Sequence, residues 1–538
     1  MSNNSKPVVL TILDGWGVAA ASKSNAISLA NTPNFDKFIK LYPNTLLGAS
    51  GESVGLPRGE DGNSETGHLN LGAGHIVYQY LARINMSIAD GSFYENRAFL
   101  GAINHARQNN SSLHLMGLVG SGGVHSNLEH LYALLHLCAQ QDFKRVYVHA
   151  FSDGRDSPPN QAQSYLDKIQ KTINKEGVGQ IASVMGRYYS MDRDLRWDRT
   201  MKALKALTQG EGFKAKSATE AVKMAYSRGE TDEFISPTLI TNGDNVNTIK
   251  SGDSVIFYNY RIDRPRQLAR TFLLQEPNQD WSYDPYSEKY QKIYSKPQIT
   301  DRGELLQNLY FATMTRYEEI LKDKTAVAFE PTVIRMPLGK VLSLHGISQL
   351  RIAESEKERF VTYYLNGGTS QNFENQDTTI VPSPSVATYD QTPAMSSFEI
   401  TQQLIKQASK YDFIAINYAA PDMVAHSGNI SAATAAAEAV DQCLGRLYEH
   451  VVKKLNGCLV ITADHGNIEE MISQTGEVDT EHSTNEVPFI VVSQNLENKS
   501  LNLPKGILAD VAPTILGLFN ITPPENMTGR NLLDNNNN

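Results

Sequence analysis

Acidic, histidine and serine side chains that could bind metal ions are grouped in five short segments, spread along almost the whole chain. They are Asp14, Ser64, Asp422, His426, Asp464, His465 and His482. Carboxylates and imidazoles are common ligands of divalent cations, and this number of them is enough to hold two ions. A neighbouring metal ion lowers the pKa of a serine hydroxyl, which would make Ser64 a nucleophile at neutral pH. The pattern therefore predicts a two-metal site for phosphoryl transfer.

Three of these segments directly follow short apolar runs. The runs are residues 8–13 (VVLTIL), 413–418 (FIAINY) and 458–462 (CLVIT). Short apolar runs bounded by turn residues are typical of buried strands in a mostly parallel sheet. Reacting groups in such sheets collect beyond the carboxyl ends of the strands. Asp422 and His426 are four residues apart, so they would share one face of a helix.

No predicted metal ligand lies in the long central stretch of the chain. Strand-like runs there alternate with helical patterns such as residues 128–138 and 161–173, and the runs are residues 113–119, 145–151, 180–185 and 254–260. We expect an α/β metal-binding domain at residues 1–78 and 319–538, with a second α/β domain at 79–318 inserted into it. Residues 326–328 and 360–365 would belong to the resumed metal-binding domain.

Two further stretches stand out by their composition. Residues 275–300 are polar, tyrosine-rich and interrupted by proline, which predicts an irregular excursion on the surface. The final run, residues 535–538, consists of asparagine and is expected to be disordered.

The overall composition excludes several classes of protein. A net charge of −9 argues against a general nucleic-acid binder, and no run reaches the length of about 20 apolar residues that a membrane span needs. The N-terminus lacks the basic and apolar regions of a signal peptide. The 3 cysteines are too few for a disulfide framework. We therefore expect a cytoplasmic enzyme with no nucleic-acid or membrane partner.

The central stretch carries a second set of candidate residues, each placed just after a predicted strand. They are His125, Arg155, Asp156, Arg187, Arg193, Arg261 and Arg264. The planar guanidinium of arginine binds phosphate or carboxylate through two parallel hydrogen bonds. Several arginines beside a metal site predict a small substrate that carries a phosphate and a second anionic group. Taken singly, each could equally be a surface ion pair or a loop residue. We interpret four other histidines as structural, namely His68, His75, His130 and His136.

Long motifs around these residues resemble the cofactor-independent (2,3-bisphosphoglycerate-independent) phosphoglycerate mutases of the alkaline phosphatase superfamily. They include LPRGEDGNSETGHLNLGAG at residues 56–74, GLVGSGGVHS at 117–126, YNYRIDRPRQL at 258–268, NYAAPDMVAHSG at 417–428 and VITADHGN at 460–467. The resemblance implies an alkaline-phosphatase-like metal-binding domain with an inserted α/β domain. It also implies an isomerase that interconverts 3-phosphoglycerate and 2-phosphoglycerate without bisphosphoglycerate, and a monomer.

The resemblance further implies a role for each matching residue. Ser64 would become phosphoserine, one metal ion would be held by Asp422, His426 and His482, and the other by Asp14, Ser64, Asp464 and His465. Manganese is the usual metal of the family, with magnesium in some members. The implied substrate-binding residues are His125, Arg155, Asp156, Arg187, Arg193, Arg261, Arg264 and Lys357. Among these, Asp156 is our candidate for exchanging the hydroxyl proton, and we expect Lys357 to counter charge on the phosphoryl oxygens.

Two other activities stay open at this point. A metal-dependent phosphohydrolase of the same superfamily could use the same metal ligands, although it would not require the arginines. A phosphopentomutase is the second alternative, although a neutral ribose explains several arginines less well than a carboxylate does.

Overall fold

The computed structural model describes residues 7–243, 245–278, 302–473, 475–499 and 501–534. The chain divides into two compact units: the first unit is Met1–Gln79 with Thr332–Asn538, and the second unit is Tyr80–Pro331. Most of the predicted excursion at residues 275–300, and the whole predicted disordered run at 535–538, lie outside the described residues. No helix in the described part of the chain has the length and apolar character that a membrane crossing requires.

The strands within the described residues are short, and many of them are fully buried. In chain order they are β1 (Val8–Leu13), β2 (Asn44–Gly48), β3 (Leu113–Val119), β4 (Val146–Ser152), β5 (Gln180–Gly186), β6 (Phe213–Ala215), β7 (Thr238–Asn242), β8 (Asn245–Val246), β9 (Ser254–Phe257), β10 (Tyr310–Thr315), β11 (Ala326–Phe329), β12 (Gln349–Glu354), β13 (Gln376–Val381), β14 (Phe413–Tyr418), β15 (Cys458–Thr462), β16 (Val487–Ser493) and β17 (Gly506–Ile507).

The α-helices alternate with these strands along both units. They are Ala26–Leu29, Pro33–Leu41, Ser64–Ala73, Tyr80–Asp90, Arg97–Gln108, Leu128–Gln140, Ala162–Glu176, Arg187–Ser190, Trp197–Gln209, Ala218–Ser227, Pro265–Leu273, Leu338–Leu344, Ser397–Gln407, Ala420–Ala425, Ile430–Leu447 and Val511–Leu518. Shorter 3₁₀ or π segments include Ser355–Lys357, Phe360–Tyr364 and Tyr448–Lys454.

The first unit is built on one sheet, whose strand order is β13-β12-β14-β1-β15-β16-β2-β17. β1 lies at the centre and pairs in parallel with β14 on one side and β15 on the other. Every residue of these three strands is buried, which explains why their sequences are continuously apolar. The predicted α/β class and the three predicted strands around the metal ligands are confirmed.

The second unit has its own sheet and core. Its strand order is β11-β10-β9-β3-β4-β5-β7-β6, with β8 paired to β7. The central strands β9, β3, β4 and β5 are parallel, so the loops that follow them leave from one edge of the sheet. The predicted second set of candidate residues follows these strands, with Arg187 at the start of the helix Arg187–Ser190 and the others in loops.

One prediction for the chain's return to the first unit is wrong. Residues 326–328 were expected in the metal-binding domain, but β11 pairs in parallel with β10 of the second unit. Its Phe329 packs into the core of that unit. The polar stretch before β11 resembles a boundary, yet it only connects two neighbouring strands of one sheet. The second crossing therefore follows Pro331 instead of residue 318.

Candidate metal centre and arginine cluster

The register of the central strands brings the candidate ligands to one level of the first unit. Leu13 of β1 lies opposite Tyr418 of β14, and Ile12 lies opposite Thr462 of β15. The segments that follow these strands carry Asp14, Asp422, Asp464 and His465. Because the strands are parallel and end together, these side chains emerge at the same edge of the sheet.

Asp422, His426 and His482 form a first group of potential ligands. Asp422 Oδ1 lies 3.3 Å from His426 Nε2 and 3.5 Å from His482 Nε2, and the two imidazole nitrogens are 3.3 Å apart. The helix Ala420–Ala425 places Asp422 and His426 on one face. Both histidines also contact backbone carbonyl groups through Nδ1, which leaves Nε2 of each ring facing Asp422.

Asp14, Ser64, Asp464 and His465 form a second group. Ser64 Oγ lies 3.3 Å from Asp14 Oδ1 and 3.0 Å from His465 Nε2. The same imidazole nitrogen is 3.5 Å from Asp14 Oδ1 and 3.6 Å from Asp464 Oδ2. Ser64 is the first residue of the helix Ser64–Ala73, which is capped by the Asn63 side chain. Ser64 therefore sits at a helix N-terminus, where the backbone N–H groups favour a phosphate.

The distances between the potential ligand atoms show whether these residues suit a metal ion. Within each group, neighbouring oxygen and nitrogen atoms are 3.0–3.6 Å apart, and Asp14, Asp422, Asp464 and His465 are all buried. Atoms at such separations can each lie about 2.1 Å from a common cation. The two groups therefore fit two divalent cations.

Lys357 joins the two groups. Its ammonium group donates to Asp14 Oδ1 and Asp422 Oδ2 at 2.8 Å each, and lies 3.0 Å from Ser64 Oγ. The lysine follows β12, which is the neighbour of β14 in the sheet. Burial alone would lower its pKa, but Asp14 and Asp422 raise the pKa well above its ordinary value. Lys357 is therefore cationic and lies between the two ligand groups of the first unit.

The carboxylates and histidines of the centre shift one another's pKa in opposite directions. Burial would raise the pKa of Asp422, but Lys357 and the two histidines hold it well below its usual range. Burial would lower the pKa of His465, but Asp464 and Asp14 raise it to about 10. A hydrogen bond with Asp422 raises the pKa of His426. The negative charge of these carboxylates is thus balanced by Lys357 and by the proton on His465.

This balance predicts that metal binding releases protons. His465 has a pKa of about 10 in the metal-free centre and carries a proton at pH 7.5, whereas it binds a metal ion only when neutral. We expect at least about one proton released per protein at pH 7.5, and weaker binding as the pH falls. Calorimetric titration with manganese in two non-chelating buffers of different ionisation enthalpy counts these protons. His345→Gln, a change outside the centre, should leave the count unaltered, and zero release would contradict the prediction.

His68, which we interpret as structural from the sequence, lies beside the metal ligands in the structure. His68 Nδ1 lies 3.1 Å from Asp464 Oδ2, and Asp14, His68 and Asp464 form a compact group of potential ligands. His68 also contacts Asn417, whose amide donates to Asp14 Oδ2 at 2.6 Å. Its position four residues after Ser64 on the same helix was the signal available in the sequence. His68 therefore lies against the second ligand group, where its ring nitrogens contact the Ser64 carbonyl, Asp464 and Asn417.

The candidate residues of the second unit form a cluster of alternating charge. Arg187 donates to both Asp153 and Asp156 at 2.5 Å. Its guanidinium is buried, so these bonds fix its orientation. His125 lies between two carboxylates, 3.7 Å from Asp156 Oδ2 and 3.6 Å from Asp263 Oδ1.

Further arginines complete this cluster. Arg193 donates to Asp263 at 2.5 Å, and Arg261 lies 3.4 Å from the same carboxylate. Burial and the nearby arginines Arg187, Arg193 and Arg155 lower the pKa of Arg264 to about 10. Arg155 is half exposed and lies 3.9 Å from Glu233. Burial and these neighbouring cations together lower the pKa of Arg264, so an anion bound beside it would be favourable.

The site and the fold together define a class of protein. A serine at a helix N-terminus, surrounded by two ligand groups on a parallel sheet, is typical of metal-dependent phosphoryl-transfer enzymes. Two family models match the chain: "BPG-independent PGAM N-terminus" over residues 84–319, and "Type I phosphodiesterase / nucleotide pyrophosphatase" over residues 349–490.

Comparisons over the whole chain are more specific. The 2,3-bisphosphoglycerate-independent phosphoglycerate mutase of Moorella thermoacetica is 46% identical over 529 residues, which cover 98% of each chain. That of Chloroflexus aggregans is 48% identical, also over 98% of each chain. A crystal structure of Leishmania mexicana phosphoglycerate mutase at low cobalt concentration matches with 27% identity and a TM-score of 0.62, over 98% of this chain and 97% of that one. The chain belongs to the family of 2,3-bisphosphoglycerate-independent phosphoglycerate mutases.

Proposed function

We propose that the protein interconverts 3-phosphoglycerate and 2-phosphoglycerate by transferring the phosphoryl group to Ser64 and back. The observation that carries this proposal is the placement of Ser64 Oγ, which lies 3.0 Å from both Lys357 Nζ and His465 Nε2. A hydroxyl group beside a cation and an imidazole is suited to nucleophilic attack. The similarity to the named mutases over nearly the whole chain supports this substrate class.

We propose that the two ligand groups hold manganese. Each group mixes carboxylate with imidazole, a combination that suits manganese, whereas magnesium prefers ligands that are all oxygen. The ions would supply positive charge to the phosphoryl oxygens and lower the pKa of the Ser64 hydroxyl.

In the first half-reaction, Ser64 Oγ forms a bond to phosphorus while the ester bond from phosphorus to the glycerate oxygen breaks. Lys357 offers its ammonium group to the phosphoryl oxygens, whose negative charge is stabilised in the transition state. The N–H groups at the start of the helix Ser64–Ala73 add donors at the same place. Ser64 gives up its hydroxyl proton in this step and the departing glycerate oxygen takes up a proton, so the number of protons is conserved.

In the second half-reaction, the other hydroxyl of glycerate attacks the phosphoserine and loses its proton. We assign this proton transfer to Asp156. Burial would raise the pKa of Asp156, but the hydrogen bond from Arg187 lowers it, so the carboxylate is ionised and can accept a proton. The positive charge of Arg193, Arg261 and Arg264 would bind the glycerate carboxylate and retain the intermediate.

One assay separates this activity from hydrolysis. The enzyme is given 3-phosphoglycerate with and without manganese, in the absence of bisphosphoglycerate, and both 2-phosphoglycerate and free phosphate are measured. We expect 2-phosphoglycerate to be the main product and its formation to depend on the metal. Free phosphate as the main product would indicate a phosphohydrolase. If the enzyme left 3-phosphoglycerate unchanged but turned over ribose 1-phosphate in a parallel assay, it would be a phosphopentomutase.

A further inference from the structure

Glu469 is a buried carboxylate that belongs to neither ligand group. It lies in the segment after β15, five residues beyond Asp464, and its exposed fraction is 1%. Within the described residues, no lysine, arginine or histidine forms an ion pair with it. Burying a carboxylate is costly unless hydrogen-bond donors satisfy it. The hydrogen-bond donors that satisfy the Glu469 carboxylate therefore show which segments of the chain this residue holds in place.

The carboxylate of Glu469 accepts hydrogen bonds from three separate segments. Oε2 accepts from the backbone N–H groups of Gly17 and Asn467, each at 2.9 Å. Oε1 accepts from the Asn485 amide at 2.9 Å and from the Ser483 hydroxyl.

Each of these segments also carries potential metal ligands. Gly17 lies three residues after Asp14, Asn467 lies two after His465, and Ser483 directly follows His482. Glu469 therefore links the backbone of the segments that bear ligands of both groups. Asn467 extends this link, because its amide donates to Asp422 Oδ1 at 2.8 Å.

Two glycines allow the carboxylate to approach this closely. A Cβ atom at position 17 would lie 2.2 Å from the Glu469 carboxylate, and one at position 466 would lie 2.4 Å from Oε1. Neither distance is sterically tolerable. The close packing leaves the carboxylate one position, in which its distances to the three segments are set together.

We propose that Glu469 is a positioning residue that sets the spacing of the three ligand-bearing segments, and thereby the affinity of the centre for divalent cations. The inference rests on the metal centre of the proposed function. A charged acceptor suits this place because every group that faces it is a donor. A glutamine amide would turn one acceptor into a donor and oppose at least one of those groups.

The experiment compares Glu469→Gln with Glu470→Gln in the full-length chain. Glu470 is a matched control, because its carboxylate shares the Asn485 contact but has no bond to Gly17, Asn467 or Ser483. Manganese affinity is measured by calorimetry after removal of bound metal. We expect Glu469→Gln to weaken binding by about 10- to 100-fold and the control to leave it unchanged. We also expect saturating manganese to restore most of kcat in Glu469→Gln.

A second variant guards against a folding defect. Ser483→Ala removes the donor beside His482 and the acceptor of the Asn485 N–H group, and it should weaken manganese binding less than Glu469→Gln does, with little change in Tm. A lower Tm with unchanged manganese affinity in Glu469→Gln would overturn the proposal and assign a purely structural role. Activity that stays lost at saturating manganese would also overturn it. Because the titration needs no substrate, its result is independent of whether the proposed mutase activity is correct.

Discussion

Replacing Ser64 with alanine is expected to lower the mutase kcat by about 10⁴-fold or more, because the variant lacks the hydroxyl that we propose accepts the phosphoryl group. Ser64 Oγ contacts Asp14, His465 and Lys357, and the alanine side chain lacks this atom. The measurement is 2-phosphoglycerate formation from 3-phosphoglycerate, with bisphosphoglycerate absent and manganese saturating.

The control separates loss of the nucleophile from loss of the metal centre. Asp14, Asp464 and His465 remain in the variant, so we expect manganese still to bind and the Tm to change little. Ser50→Ala removes a hydroxyl of the same unit that donates to the Thr484 carbonyl, and it should keep full activity. Full mutase activity in Ser64→Ala would refute the assignment of the nucleophile.

Replacing Lys357 with methionine should affect both activity and stability. Loss of a cation that faces the phosphoryl oxygens is expected to lower kcat by about 10²- to 10³-fold. In the metal-free protein the same change leaves Asp14 and Asp422 buried without their ion-pair partner. The free energy of unfolding should then fall by about 3–5 kcal/mol.

Urea unfolding measures the second effect, once with chelator and once with saturating manganese. The loss of stability should be larger with chelator, because bound cations can balance the carboxylates when the lysine is absent. Lys406→Met, which changes an exposed lysine of the same unit, should alter neither quantity. An equal loss with and without metal would show that the lysine stabilises the fold by packing alone.

The sequence alone determined the strands that support the centre, and it predicted most of the residues that the structure brings together there. Strands covered on both faces need continuous apolar side chains, so β1, β14 and β15 were visible as short runs. The polar residue at the end of each run marked the edge of the sheet. The four-residue spacing of Asp422 and His426 likewise follows from local helix geometry. Such features depend on neighbouring residues in the chain, which is why they could be predicted.

Only the tertiary structure decided which distant residues meet. Lys357 contacts Asp14 across 343 positions of the chain, a proximity that comes from strand pairing and has no local signature. Glu469 was missed for the same reason, because its hydrogen bonds join segments far away in sequence, whereas His68 had a local signal in its spacing from Ser64. The place where the chain returns to the first unit was also wrong. A short run such as β11 can complete either sheet, and only its packing against β10 decides between them.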